Sequence, residues 1–306
     1  MGLSTRALAL GAALIALAPA QATAQPAEAP PMGRAFPAVN DTTIRCPLPV
    51  PPSAEQQAAQ FDTAPRDLDA MSAQAAQFFN SDSPAGAAFR AAQAEQRAND
   101  WAFLCRYRDA NADLAERGER PAVVFMGDSI TEGWVTADPA FFAAHHAAGR
   151  GISGQSSTQM VVRFQHDVVA LQPDVVHIMA GTNDIGGATG AITLTEFTGN
   201  IRAMLAMAKA NNIAVVLAAI PPMSRLLPRP DFDVRPVVRQ LNDELAKLAE
   251  EYGATFVDYY TPLALPDGAF DPQLANDGVH PTRAGYAVMR PLAEAALAQA
   301  AQREQK

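Results

Sequence analysis

The chain has 306 residues, 49% hydrophobic and 18% charged, a balance that fits a globular protein of one or two domains and excludes disorder throughout. Its 23 basic and 32 acidic residues give a formal charge of −9, and lysine occurs only at Lys209, Lys247 and Lys306, so no clustered basic face exists to grip nucleic acid. No apolar run reaches the roughly 18 residues of a membrane-spanning helix, and the two cysteines cannot by themselves build a structural zinc site.

The first segment reads as an address. Met1 to Ala24 carries one positive charge at Arg6, a short apolar stretch from Ala7 to Ala18, and then Ala22-Thr23-Ala24, an A-x-A cleavage pattern. The expected mature chain starts near Gln25 and is periplasmic or secreted, without a membrane anchor. In an oxidising compartment Cys46 and Cys105 are expected to form a disulfide. The loop it would close is about 60 residues, for which chain entropy gives about 4 kcal/mol. Gln25 to Pro52 is a Pro/Ala-rich arm without periodicity.

Residues 53–118 read as a helical N-terminal extension rich in Ala, Gln, Glu and Arg, with Trp101, Leu104, Cys105 and Arg108 at helical spacing. From Glu119 onward, short apolar runs alternate with amphipathic helices. Ala122–Met126, a weak Gly149–Ile152, Val175–Ala180, Ile213–Ile220 and Ala254–Val257 are expected as strands buried on both faces. Three helical faces lie between them: Met160, Val161, Phe164, Val168 and Leu171; Phe197, Ile201, Met204, Leu205 and Ala208; Val238, Leu241, Leu245 and Leu248. Thr193 and Glu196 form a capping-box pattern, and Tyr286, Met289 and Leu297 mark a closing helix. This order predicts an α/β fold, a three-layer α/β/α sandwich on a parallel five-stranded sheet, spanning residues 119–306. In such sheets ligands gather outside the carboxyl ends of the strands.

The residues after the strands carry the chemistry. Gly127-Asp128-Ser129-Ile130-Thr131 follows the first strand; it is neither a phosphate loop nor a G-x-S-x-G elbow. Ser129 there is either a helix cap or a nucleophile whose backbone N–H also faces the ligand. Arg150-Gly151-Ile152-Ser153-Gly154 follows the second strand, and Gly154 is either a turn glycine or an approachable N–H donor. Asn183, in Gly181-Thr182-Asn183-Asp184, either makes an Asx-turn or points an amide at the same space. In Asp277-Gly278-Val279-His280-Pro281, an acid three residues before a histidine can orient the imidazole as a base, the competing use being a metal pair. His177 is read as a strand core residue, and His145 and His146 as helical. Asp128 and Asp184 are read as fixing turns. The five-proline segment Pro221–Pro236, with Arg225, Arg229, Asp231, Asp233 and Arg235, is either a solvated loop or a cleft border.

Taken together, GDSIT, GRGISG, GTND and DGVHP resemble, in order and spacing, the four blocks of the SGNH, or GDSL-type, hydrolase superfamily. The resemblance runs from Pro121 to about Ala300 and leaves the extension unplaced; its longer stretches look most like bacterial acetylhydrolase-like and lysophospholipase-like members. It implies a flavodoxin-like sheet and a serine esterase with Ser129 as nucleophile, His280 as base and Asp277 as its orienter. It further implies oxyanion donors at Ser129, Gly154 and Asn183, and no cofactor. For an exported member it implies short acyl, especially acetyl, esters of carbohydrate or other small substrates. A lysophospholipase or thioesterase on longer chains is the alternative, and a non-catalytic surface-binding protein a more distant one. The implied partner is a small-molecule or carbohydrate ester.

Overall fold

The computed structural model describes residues 61, 68–70, 73, 84–226 and 231–303. The expected export signal, the expected Pro/Ala-rich arm after it and Cys46 lie outside them. Two helices precede the sheet, α1 (Pro84–Asn99) and α2 (Arg108–Glu116). The expected helical stripe from Trp101 to Arg108 is corrected: residues 101–107 connect the two helices through turns, and only Arg108 is helical, as the first residue of α2. The Asp100 carboxylate accepts the N–H groups of Leu104 (2.8 Å) and Cys105 (3.0 Å), and Phe103 takes a φ of 58°. Such side-chain bonds offer the backbone an alternative to helix. Cys105 is buried, whereas Trp101 stays 39% exposed.

Five parallel strands follow: β1 (Val123–Gly127), β2 (Ala147–Gly151), β3 (Val175–Met179), β4 (Ala214–Ala218) and β5 (Thr255–Val257), in the order β2-β1-β3-β4-β5. This is the doubly wound order in which the chain reverses direction beside β1, leaving a crevice at the carboxyl ends. Within β1, Val124 and Met126 enter one core while Val123 and Phe125 enter the other. That period-2 division makes the strands apolar on both faces. The edge strand β2 starts two residues before the expected Gly149, because pairing of Ala147 and Ala148 with Val123 and Val124 defines it rather than its own hydrophobicity.

On one face lie α5 (Ser157–Asp167), α7 (Leu194–Ala210) and α8 (Arg235–Tyr252), whose expected apolar faces are buried, with Val161 only partly so and with Val168 and Leu171 buried in the cap and the short 3-10 turn just past α5 rather than on it. The Thr193–Glu196 capping box opens α7, with Glu196 accepting the Thr193 N–H at 2.7 Å. The other face carries α3 (Ser129–Ala137), α4 (Pro139–Ala144) and α10 (Arg283–Arg303) around Trp134, Phe141, Tyr286 and Met289. Short helices α6 (Thr182–Gly186) and α9 (Tyr260–Leu263) complete the chain order. His145 and His146 fall just past α4 rather than within it, His146 at a φ of 47°. No helix of the described residues is long and apolar enough to cross a membrane.

Candidate active site

Strand register gathers the site. Gly127 at the end of β1 pairs with Gly151 on one side and Met179 on the other, so three strands stop abreast. Ser129 stands two residues past β1, Gly154 three past β2 and Asn183 four past β3. At Gly151 the fit admits no side chain: an added Cβ would lie 2.2 Å from the Glu132 nitrogen, which lets β2 close against α3.

Ser129 opens α3, and its position is fixed from behind. Asp128 caps the helix by accepting the Ile130 N–H at 2.9 Å, Ile130 and Trp134 are buried, and the Tyr286 hydroxyl donates to the Ile130 carbonyl at 2.8 Å. Asp184 is likewise spent on structure, accepting the Ser157 N–H at 2.9 Å together with its hydroxyl. Both aspartates thus hold turns, as expected from sequence. Burial pushes the Asp128 carboxyl up to about 6, against the Ile130 N–H and the charge of His280, which pull it down.

His280 and Asp277 arrive from the loop before α10. The Asp277 Oδ1 accepts the N–H groups of Val279 (2.9 Å) and His280 (2.7 Å), which folds the turn. Gly278 takes a φ of +77° and its carbonyl accepts the Ser224 N–H at 2.8 Å, tying the turn to the segment after β4. His280 Nδ1 meets Asp277 Oδ2 at 2.7 Å, and His280 Nε2 meets Ser129 Oγ at 2.8 Å. Three groups from opposite ends of the domain form one continuous hydrogen-bonded line. Burial works against charge on both members of the ion pair, yet each holds the other's: the Asp277 carboxyl is lowered to about 2, and the His280 imidazole is raised above its ordinary value.

Two backbone donors are unspent. The N–H groups of Ser129 and Gly154 make no hydrogen bond among the described residues. Gly154 is exposed and holds a φ of +80°, a conformation that favours glycine. The Asn183 amide is partly committed: Nδ2 donates to the Gln155 carbonyl at 3.0 Å and reaches Asp128 Oδ2 only at 3.4 Å. One of its hydrogens is firmly placed and the other weakly held. Ser129, Asn183 and His280 are each half-buried, with Asp128, Thr182 and Asp184 buried behind them.

His177 is fully buried, stacked on Phe125 at 4.6 Å, and its Nε2 lies 3.1 Å from the Tyr259 hydroxyl; burial lowers its pKa to about 3. It is a neutral core residue. Among the described residues no group of three or more His, Cys, Asp and Glu side chains is placed to hold a metal ion. The sequence did not point to the contacts around the Gly154 loop. Arg106 reaches Glu132 across 26 residues, and Tyr107 reaches the Gly151 carbonyl across 44. No local spacing signals such pairs.

The model of the GDSL-like lipase/acylhydrolase family matches residues 125–288. Among solved structures, a GDSL-like lipase from Bacteroides thetaiotaomicron is 41% identical with a TM-score of 0.62, the match covering 66% of this chain and all of that one. A putative acylhydrolase from Bacteroides fragilis is 42% identical with a TM-score of 0.63, covering 66% of this chain and 99% of that one. No curated protein matches the chain. With the family model spanning more than half of the sequence and relatives above 40% identity matched over their whole length, this carboxylic-ester hydrolase belongs to the GDSL-like lipase/acylhydrolase family.

Proposed function

We propose that the protein is an exported serine esterase that removes short acyl groups, acetyl foremost, from carbohydrate or other small esters. The observation that carries this reading is the unbroken line from Ser129 Oγ through His280 to Asp277, at 2.8 and 2.7 Å. Ser129 Oγ attacks the ester carbonyl while His280 Nε2 takes its proton, and Asp277 stabilises the imidazolium. The oxyanion is met by the N–H groups of Ser129 and Gly154 and by the weakly held hydrogen of Asn183. His280 then gives its proton to the leaving alcohol, and water repeats the attack on the acyl-enzyme with His280 again as base.

Support for a short acyl group comes from beside Asn183. Buried Leu226 lies 3.5 Å from where a Cβ on Gly186 would be, and Ser156 Oγ and Thr189 Oγ1 close together at 2.7 Å. The segment from Pro221 borders the cleft through the Ser224–Gly278 bond, and Arg225 pairs with Asp69. Export after Ala24, a domain boundary near Glu119 and a Cys46–Cys105 disulfide belong to the same reading. Thiol titration of the non-reduced protein checks the disulfide, and two reactive thiols would refute it. The decisive experiment is turnover of p-nitrophenyl acetate, butyrate and octanoate by the wild type and Ser129→Ala. Acetate turnover that vanishes in the variant is expected. Preference for octanoate would favour the long-chain alternative, and turnover surviving in Ser129→Ala would remove the serine mechanism.

A further inference from the structure

The Gly154 N–H can stabilise an oxyanion only if something aims it, and packing does not. An added Cβ on Gly154 would meet nothing within 4 Å, and both Ser153 and Gly154 are exposed. What holds the loop is its own turn, in which the Gln155 N–H donates to the Ile152 carbonyl at 3.2 Å, and a set of hydrogen bonds that tie the flanks of that turn to the rest of the fold. Before Gly154, Glu132 Oε2 accepts both the N–H (2.8 Å) and the hydroxyl (2.6 Å) of Ser153. The other oxygen, Oε1, accepts from the Arg106 guanidinium at 3.0 Å. After Gly154, the Gln155 amide donates to the Ala102 carbonyl at 3.2 Å and accepts from Arg163 at 2.5 Å. Below them the Tyr107 hydroxyl donates to the Gly151 carbonyl, and burial pushes that hydroxyl up to about 12, so it remains a donor.

Glu132 sits on α3, three residues beyond Ser129, so one rigid helix carries both the nucleophile and the post to which the Gly154 loop is tied. The geometry points to Glu132, held by Arg106, as a positioning residue of the oxyanion hole that fixes the Gly154 N–H relative to the Ser129 N–H. Arg106 has a second effect. A bare carboxylate near a developing oxyanion opposes it, and the guanidinium at 3.0 Å offsets that charge. The residues from Ala102 to Tyr107 thereby serve catalysis without touching substrate. The assignment rests on the esterase reading above, since it needs an oxyanion to stabilise.

The test compares the purified wild type with Glu132→Ala, Glu132→Gln, Arg106→Ala and Ser129→Ala, with Arg202→Ala as a surface control. Three quantities are read: kcat/KM for p-nitrophenyl acetate, inhibition by a small trifluoromethyl ketone that forms an oxyanion adduct, and inhibition by the matching unreactive methyl ketone. Losing a positioned loop should cost less than the ~10²- to 10³-fold of deleting a donor. Glu132→Ala is therefore expected to lose roughly 10- to 100-fold in kcat/KM and in trifluoromethyl ketone affinity together, with methyl ketone inhibition unchanged. Glu132→Gln, which keeps an acceptor for Ser153, should recover much of this, and Arg106→Ala should show a smaller loss in the same direction. If Ser129→Ala is inactive while Glu132→Ala and Arg106→Ala stay within twofold of wild type, the positioning role is overturned and the esterase reading stands. Parallel loss of methyl ketone binding would also overturn it, as general damage. Activity persisting in Ser129→Ala would overturn the esterase reading and this role with it.

Discussion

At His280 two effects oppose each other: burial disfavours the imidazolium, and the Asp277 carboxylate 2.7 Å away favours it and prevails. A base must be neutral to take the Ser129 proton, so kcat/KM for p-nitrophenyl acetate should rise with pH through an apparent pKa above 6.5. Asp277→Asn leaves burial opposed only by the weaker pull of the Asp128 charge. The acid limb should then move to lower pH while the rate falls by ~10⁴, the usual cost of losing the group that orients the histidine. A pH–rate profile of the two proteins reads both effects, and an unmoved limb would take Asp277 out of the line. The same pair bears on stability: Asp277 contributes above 3.8 and loses its share as pH falls towards 2, whereas His280 contributes below 6.5 and loses its share as pH rises through its elevated pKa. Asn183 is held by the Gln155 carbonyl with one amide hydrogen still weakly engaged. Asn183→Ala should cost ~10²- to 10³-fold in kcat/KM. Turnover unaffected by that change would exclude the amide from the oxyanion site.

The elements outside the sheet matter through what they tie down. Asn111 on α2 bonds Arg150 at 2.7 Å and Asp167 at 2.8 Å, Tyr107 bonds Gly151, and the carbonyls of Trp101 and Ala102 accept from Gln159 and Gln155. At about 1 kcal/mol net for each of these five hydrogen bonds, a chain starting at Glu119 should lose roughly 5 kcal/mol. That is about 10 °C in unfolding temperature. It should lose kcat/KM as well, because the Gly154 loop goes slack. Calorimetry and turnover on that truncation check the claim, and an unchanged melting curve would show that the anchors contribute nothing. These ties also mark where sequence reading stopped. Strands such as β1 and β3 were legible because burial on both faces leaves continuous apolar runs, and α7 because its cap and apolar face are local. Ser129, Gly154, Asn183, Asp277 and His280 could be singled out because each follows a strand or precedes the last helix, where ligands gather in such folds. The stripe from Trp101 to Arg108 misled because Asp100 bonds the backbone ahead of it, and propensity yields to such a local alternative. The β2 boundary was missed because an edge strand of Ala and Gly is set by its partner.

Across the whole molecule, one buried cation joins parts that the sequence keeps far apart. Arg163 on α5 is fully buried, with Nη1 on Asp167 Oδ2 at 3.0 Å, Nη2 on the Gly127 carbonyl at 3.0 Å and Nε on Gln155 Oε1. It therefore fastens α5, the carboxyl end of β1 and the Gly154 loop at one point, and Asp167 extends the connection to Asn111 on α2. Such a pair adds little net stability over an apolar replacement of equal volume, but removing one partner leaves an uncompensated buried charge. Arg163→Ala should cost ~3–5 kcal/mol in denaturant unfolding. The double variant Arg163→Met with Asp167→Leu should recover part of that. Full recovery is not expected, because Gln155 Oε1 would lack the Arg163 donor and the Gly127 carbonyl would keep only the Ile152 N–H at 3.1 Å. If the single variant unfolds like wild type, water already reaches Arg163 and the buried network does not hold the sheet to its loops. If the double variant is as unstable as the single one, the loss comes from those two neutral acceptors rather than from the stranded charge of Asp167.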